Sequence, residues 1–496
     1  MSILASPVKR DARQTRAYSA AAVGRLTNDW ITSATSADAE IRGSFRKLVD
    51  RSRDLERNND YMRGFLLACE RNINGAHRYD LRSDAGEYIL KKGGAEWQPD
   101  DLAKRLIEDA WTDWGKKQNC TANKRYSWRS VRRLAVRSLP RDGNVLIRKI
   151  RGPAARNKYN FALQVWEIDH LDTELFAARG RAQNEIRFGI EFDDQDAIVA
   201  YHLRARHPDD HFGSVGDGYR LTRVPADDIY HTALIDRAEQ SVGTPWAVAA
   251  ITRLRQLGAF EEAAVVAARL GASNAVFFET TGEGEWTGDT DSDGRAVMDI
   301  EPGVAQQLPQ GWKASPYTPH YPNITTGDFR KAMLRGICSS LGVAYTTLGN
   351  DLESVNFSSA RVGLFDEREG WKALQIFFSE ELWEPIFSDW LESAIMAGAV
   401  NLPLAKFAKF DRPVFKARRW PFIDPLKEIE AAKTSIALKI SSRRQHIEEQ
   451  GGDVEEVFID NRDDEKLAEK IGLELSPPDA PAAPARPMTD PNNPAE

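Results

Sequence analysis

Hydrophobic positions along the chain change period several times, and each change predicts a different element. Apolar residues recur every three to four positions over 51–75 and again over 99–138, which predicts helices. Trp111, Trp114, Trp128, Val131, Leu134 and Val136 supply the apolar faces of the second stretch, and polar residues near Asn119 and Cys120 interrupt it. From Asn144 to Ile235 the texture becomes short apolar runs separated by turn residues, such as Val145–Ile147, Phe161–Trp166 and Ile198–Tyr201. That pattern predicts antiparallel strands. A helix follows Pro245: Ala247–Ala275 holds ten alanines, together with Leu254, Leu257, Phe260, Val265, Val266 and Leu270. Gly, Pro and Asp punctuate 276–322, predicting a loop- and strand-rich insertion. Helical spacing resumes at Asp328–Leu341, and a Gly- and Asn-punctuated loop spans Gly342–Asn356.

A long helix is predicted next, with Ile376, Phe377, Leu382, Trp383, Ile386, Phe387, Trp390, Leu391 and Ile395 at helical spacing. Pro385 lies inside it and is expected to kink it. Shorter helices are predicted over Pro425–Ile440 and Ser442–Gly451. Residues 1–50 read as a polar arm of little periodicity. The last twenty-one residues carry seven prolines and few large apolar groups, and are expected to form a disordered tail. The sum is an α+β chain, mainly helical, with one β-rich part at 144–235.

Composition narrows this picture. With 496 residues, 42% hydrophobic and 28% charged, the chain has the balance of an ordinary soluble protein of several modules. No run is long and apolar enough for a membrane helix, so no membrane partner is expected. The basic N-terminus lacks the apolar core of a secretion signal. Cys69, Cys120 and Cys338 are odd in number and far apart, which argues against a disulfide framework or a thiolate zinc site and for synthesis in a reducing cytoplasm. The net charge of −7 argues against a surface that grips nucleic acid all round. It is unevenly spread, with twelve basic residues and one acidic residue from Lys124 to Lys158, and acidic clusters at 191–196 and 453–465.

Catalytic signatures are mostly missing. There is no phosphate-binding GxxxxGK[ST] loop, no HExxH, and no GxSxG elbow, since Gly336–Gly342 has the wrong spacing. Asp289, Asp291, Asp293 and Gly294 resemble the first half of a calcium loop, but its twelfth position is Ile300 rather than the required Glu. An exposed acidic hairpin tip is the reading preferred. His207-Pro-Asp-Asp-His211 places two imidazoles and two carboxylates close together, the materials of a metal site for phosphodiester cleavage. A metal-dependent nuclease using the His202–His211 region is therefore the alternative function, and a scaffold without a channel is a third.

The order of short blocks along the chain carries more than any one of them. Arg51-Ser-Arg53-Asp54-Leu55-Glu-Arg57-Asn58-Asn59-Asp-Tyr61 resembles the early signature of lambda-family phage portal proteins. Glu167-Ile-Asp169-His-Leu171-Asp172, Gly189-Ile-Glu191, Val199-Ala-Tyr201-His202 and Val224-Pro225-Ala226-Asp-Asp228-Ile229 resemble later blocks of that family. Pro245-Trp246, Leu341-Gly-Val343-Ala-Tyr345, Asn356-Phe-Ser358-Ser359-Ala360-Arg361 and Trp420 followed by Asp424-Pro425-Leu-Lys427-Glu428 continue the series. The likeness runs collinearly from about residue 10 to 455. Pro309-Gln-Gly311-Trp312-Lys313 departs from it, because the family's Gly is followed by Glu.

The resemblance implies a portal fold with wing, stem, clip and crown regions, a non-enzymatic role and no cofactor. It maps 1–242 largely to the wing, after an N-terminal arm at 1–50. It maps 243–272 and 324–341 to two stem helices, 273–323 to the clip, 342–356 to a tunnel loop, 357–400 to a long wing helix and 401–475 to wing and crown, with 476–496 as the tail. It implies a homo-oligomeric ring, usually of about twelve copies, at the capsid vertex of a virion. Implied partners are double-stranded DNA passing through without base reading, the terminase large subunit, a head–tail connector and the major capsid protein. On this mapping the residues facing DNA are Tyr345, Leu348, Asn350, Asp351, Glu353 and Asn356, with Lys331 and Arg335 as phosphate contacts. The terminase- and connector-facing clip residues are Glu285, Trp286, Asp289, Asp291, Asp293, Trp312 and Lys313.

A passage for DNA has to avoid holding it, and each neutralised phosphate adds salt-dependent affinity. Gly342–Asn356 contains no Lys or Arg, which fits low-friction passage. The basic run at 124–158 and the acidic clusters are expected to pair across the junction between subunits.

Overall fold

The computed structural model describes residues 25, 29, 31–32, 34–75, 81–91, 94–180, 183–209, 220–272, 276–280, 282, 289–293, 312–316, 325–351, 357–420, 424–450, 452 and 454–473. Among these, helices outweigh strands, and the strands form five small antiparallel sheets.

Helical structure starts earlier than the periodicity suggests, with α1 (Ala37–Arg42) and α2 (Phe45–Asn58) inside what reads as an arm. Ser36 caps α1 through the Ala39 amide, and Ile41, Phe45 and Val49 are buried against the β-rich part rather than against other helices. Asn59 caps α3 (Asp60–Cys69) through the Met62 amide. Strands β1 (Leu81–Ser83), β2 (Gly86–Lys91) and β3 (Gly94–Pro99) follow, with β2 and β3 forming a hairpin. Next come α4 (Asp101–Trp114), the single turn α5 (Lys117–Cys120) and α6 (Trp128–Asp142), so the break predicted near Asn119 is real.

The 144–235 segment is β-rich as its texture predicts. β4 (Asn144–Arg151), β5 (Phe161–Trp166) and β10 (Ile229–Ala233) form one sheet in the order β10-β4-β5. Between β5 and β10 in sequence, β6 (Glu185–Arg187), β7 (Ile190–Phe192), β8 (Ile198–Arg204) and β9 (Leu221–Pro225) form a four-stranded meander. Phe188, Ile190, Tyr201, Leu203 and Val224 of this meander share a small core with Phe45 and Val49.

The larger core is aromatic. Trp111 sits 4.7 Å from Trp114, 5.4 Å from Trp128 and 4.8 Å from Trp390, centroid to centroid. Tilted and edge-on rings at such separations add to what their buried area contributes. Trp390 belongs to the long C-terminal helix pair, α10 (Phe357–Phe378) and α11 (Glu384–Met396), which runs across α4, α6 and β5. Between them, Ser379–Trp383 forms one wide π-turn. Pro385 therefore occupies the first turn of α11 instead of the interior of a continuous helix. Its missing N–H would have orphaned a carbonyl in an α-helical ladder, and the wider turn absorbs the mismatch. Leu382, Trp383, Ile386, Phe387, Trp390 and Leu391 are buried, whereas Ile376 is exposed.

Two helices and a hairpin make up the middle of the chain: α7 (Ile251–Ala272), β11 (Val276–Thr280) paired antiparallel with β12 (Trp312–Pro316), and α8 (Thr325–Leu341). The short α9 (Tyr345–Gly349) precedes α10. After α11 come α12 (Phe407–Phe410), β13 (Pro413–Phe415) paired with β1, and three helices, α13 (Pro425–Ala437), α14 (Arg443–Glu449) and α15 (Val454–Ile471). The hairpin β2–β3, the β1–β13 pair and α15 have no counterpart in the sequence reading. The proline-rich tail lies outside the described residues.

Candidate channel and ring-contact surfaces

α7 and α8 each divide into a buried half and a bare half. At the start of α7, Ile251, Leu254 and Leu257 are buried at helical spacing. At the end of α8, Leu334, Ile337, Cys338 and Leu341 are buried. Arg253 lies so close over Gly336 that a Cβ there would meet its guanidinium at 1.8 Å, which brings the two helices together at this level. Farther out, no residue of 258–269 or 326–333 is buried. Phe260 meets Phe329 edge-on at 5.0 Å, but Phe329 stays 48% exposed, Val265 55% and Val266 48%. The alanines of 263–268 leave shallow surfaces between these side chains.

The described part of the segment expected to face the passage, 342–351, is folded and clamped. Gly342 takes φ +66° and ends α8, with the Val343 amide donating to the Cys338 carbonyl. Glu367 of α10, 8% exposed, accepts from the Ala344 amide at 3.2 Å, Thr347 Oγ1 at 2.6 Å and Trp371 Nε1 at 3.0 Å. It thus supplies from a distance the cap that α9 lacks locally. At the other end, Asp351 accepts from Tyr345 Oη at 3.0 Å and pairs with Lys331 Nζ at 3.2 Å.

These contacts revise several expectations. Leu348 is buried in the main core with Leu341 and Val343, so in this conformation it presents nothing to a duplex. Lys331 and Asp351 partly cancel one another, so neither acts as an isolated charge. Asn350 is exposed at the outer turn in the left-handed conformation that an Asn tolerates. Tyr345 is half-buried, with the Arg335 guanidinium 5.8 Å from its ring. Glu353 and Asn356 lie outside the described residues. Glu367 escaped the sequence reading because a Glu within a helical run looks like any solvated face.

In the insertion, Asp289, Asp291 and Asp293 form an exposed turn in which the Asp293 amide donates to Asp291 Oδ1 at 3.0 Å. Trp312 and Lys313 lie on β12, opposite Thr280 and Glu279, whereas Glu285 and Trp286 lie outside the described residues.

Among the described residues, His202 and His207 of the histidine region do not join in one metal centre. His202 lies on β8, 3.4 Å from Glu191, and His211 is outside the described residues. Among the described residues, Glu167, Asp169 and His207 are the one group that brings three ligand atoms together. Asp169, however, already accepts from Arg46 at 3.2 Å and Arg53 at 2.6 Å. Two guanidinium groups hold its carboxyl below the usual range despite burial, and they repel any cation approaching it.

At least six of the twelve residues of the basic run pair with carboxylates of their own subunit, where pairing across a junction was expected. Arg137 contacts Glu56 at 2.6 Å and Glu70 at 3.1 Å, and Arg141 contacts Asp142 at 2.6 Å. Lys149 and Arg151 meet Asp389 at 2.6 and 3.0 Å, and Lys158 meets Asp113 at 2.9 Å. The acidic cluster at 191–196 also pairs internally, Glu191 with Arg223 at 2.7 Å and Asp196 with Arg187 at 3.2 Å.

Two helices with exposed outer halves, a hairpin between them and a body without a catalytic constellation among the described residues suit a structural ring subunit, and comparison with known proteins agrees. The family model for phage portal proteins of the lambda family matches residues 23–375. A probable portal protein of Halomonas phage phiHAP-1 is 32% identical over 478 residues, covering 95% of this chain and 90% of its own. The portal protein of Escherichia phage N15 is 20% identical over 497 residues, covering 88% and 87%. Portal protein B of Escherichia phage lambda is 27% identical over 137 residues, 26% of each chain. Among solved structures, a chain from the neck of an empty gene transfer agent particle, computed with C6 symmetry, aligns over 81% of this chain and 93% of its own, at 14% identity and a TM-score of 0.42. The chain belongs to the lambda family of phage portal proteins. It is a structural subunit of the ring-shaped portal through which DNA enters and leaves a phage head.

Proposed function

We propose that α7 and α8 are the stem of the ring and that β11–β12 with its intervening turn is the clip, facing the terminase large subunit during packaging and the head–tail connector afterwards. The body at 51–242, α10 and α11 form the wing, which faces the major capsid protein, and 401–475 completes wing and crown. Twelve copies is the stoichiometry the family implies. The observation that carries this reading is the bare outer half of the stem. Phe329, Val265 and Val266 are 48%, 55% and 48% exposed, and exposed apolar patches of this kind mark contact sites. A neighbouring stem placed side by side covers them, and the alanines of α7 let the two backbones approach.

The 342–351 segment then lines the passage, with Asn350 foremost and Tyr345 behind it. It offers the duplex a steric, non-specific surface, while the Lys331–Asp351 pair limits net attraction to phosphate. In the clip, Asp289, Asp291, Asp293, Trp312 and Lys313 are the described residues assigned to motor and connector contacts. The test is a Val265→Asp, Val266→Asp double variant of the full chain. It should retain the helical circular dichroism and tryptophan emission of the parent but fail to form rings in negative-stain images. Rings of parental size and abundance from this variant would remove the stem assignment.

A further inference from the structure

The last three helices present a second bare surface, unrelated to the stem. Ala468 is the one described residue of α13, α14 and α15 that is buried. Leu438, Ile440, Phe458, Leu467 and Ile471 are each more than half exposed. Helices of 13, 7 and 18 residues gain little from their own hydrogen bonds and need a covered apolar face to persist in water. Among the described residues, the body borders Val454 and Phe458 through Trp97, Val414 and Phe415 but leaves the other apolar side chains of these helices exposed.

Charge identifies the cover. The elbow from Lys433 to Arg444 carries four basic residues and no acidic one, interleaved with Leu438 and Ile440. α15 carries seven acidic and three basic residues, interleaved with Phe458, Ile459 and Leu467. Arg444 meets Glu448 at 3.1 Å and Asp463 meets Arg462 at 3.1 Å, each within about one turn. Each subunit therefore displays a basic apolar patch and an acidic apolar patch, which adjoin where Arg444 and Phe458 border one groove. A two-fold contact of either patch with itself would set like charges together. A head-to-tail contact sets opposite charges together and repeats around a ring, since a heterologous interface uses a different face of each neighbour.

We propose that α15 of one subunit docks on the 433–444 elbow of the next, forming a ring contact separate from the stem. The inference rests on the ring reading above and adds to it the surface, the partner and the polarity of the contact.

A charge-exchange series on the full-length chain tests it. One variant carries Asp460→Lys, Asp464→Lys and Glu465→Lys. A second carries Lys439→Glu and Arg443→Glu, and a third combines both sets. Mass photometry across a dilution series gives the concentration at which half the subunits are in rings. Each single set should raise that concentration at least tenfold, and the combined protein should return to within threefold of the parent. Two single sets that both assemble like the parent would overturn the proposal, as would a combined protein no better than either. So would a loss in one set alone, which shows that the two patches do not meet each other. Where a charge set lowers helix content, Leu438→Gln with Ile440→Gln is the replacement probe, and unchanged assembly in it overturns the proposal equally. A parent chain that stays monomeric would instead sink the ring reading beneath it.

Discussion

Asn144 joins three segments through one side chain. Its Nδ2 donates to the Gly243 carbonyl at 2.9 Å and the Asp142 carbonyl at 3.2 Å. Its Oδ1 accepts from the Gly243 amide at 3.0 Å and lies 3.1 Å from His231 Nε2. The crossing is possible because both chains carry glycine there: a Cβ on Gly243 would sit 2.2 Å from the Gly143 carbonyl oxygen. Asn144 uses its amide on one side, so His231 must supply the proton on the other, and the neutral imidazole does so. Burial holds the His231 pKa at about 4, below the ordinary 6.5. With the folded value depressed, the unfolded chain binds the proton first as pH falls. Stability is then greatest above pH 6.5 and declines toward pH 4, by on the order of 2 kcal/mol for a partly exposed group. Denaturant unfolding across that range should show the decline, and His231→Gln, which keeps an N–H donor, should flatten it. None of this was legible beforehand, because the sequence says where a Gly or His is but not which segment crosses it. The tryptophans of 111–128 were legible, since size and helical spacing together leave them only the core.

Elements were readable where one period persisted and hidden where two forces competed. Helices α4, α6, α7 and α8 and the strands of 144–235 lie where the apolar spacing places them. α15 was missed because its acidic positions mask a weak stripe, and β2–β3 because its exposed Tyr88 and Leu90 break the expected alternation. The π-turn before Pro385 was read as a kink, since the missing amide is visible in sequence while the means of absorbing it is not. The 342–351 segment shows the same limit. Its glycines suggested a free loop, yet an acceptor 20 residues away, Glu367, holds it to α10. Glu367→Ala leaves the Trp371 indole N–H and the Ala344 amide without their acceptor, at a cost of about 1–3 kcal/mol each where no water replaces it. Hydrogen exchange followed by mass spectrometry should show 343–349 exchanging at least tenfold faster, with the tryptophan-rich body unchanged. Equal protection in parent and variant would mean that packing of Leu348 alone fixes the segment.

At the scale of the whole subunit, the decisive question is which charges hold the chain to itself and which hold it to its neighbours. A run of twelve basic residues invites an intermolecular reading, because sequence gives the sign of a charge without its partner. In the fold that run wraps the body, and its counterions come from α2, the end of α3, α4 and α11. Arg137 sits between Glu56 and Glu70, with side-chain exposures of 20%, 14% and 16%, so removing the guanidinium leaves Glu56 to Arg141 at 3.5 Å and Glu70 to Arg133 at 3.3 Å. Breaking such a pair from one side costs more than the pair itself contributes, here about 1–2 kcal/mol because each carboxylate keeps a second partner. Arg137→Met keeps the aliphatic stem and removes only the charge, so packing changes little. The variant should lose that much unfolding stability in denaturant, while the subunit concentration needed for half-assembly stays within threefold of the parent. The two readings separate because each moves a different observable. Loss of an internal pair lowers the stability of the isolated subunit, and loss of a pair across a junction weakens only association. Unchanged subunit stability with impaired rings would return the basic run to the junction.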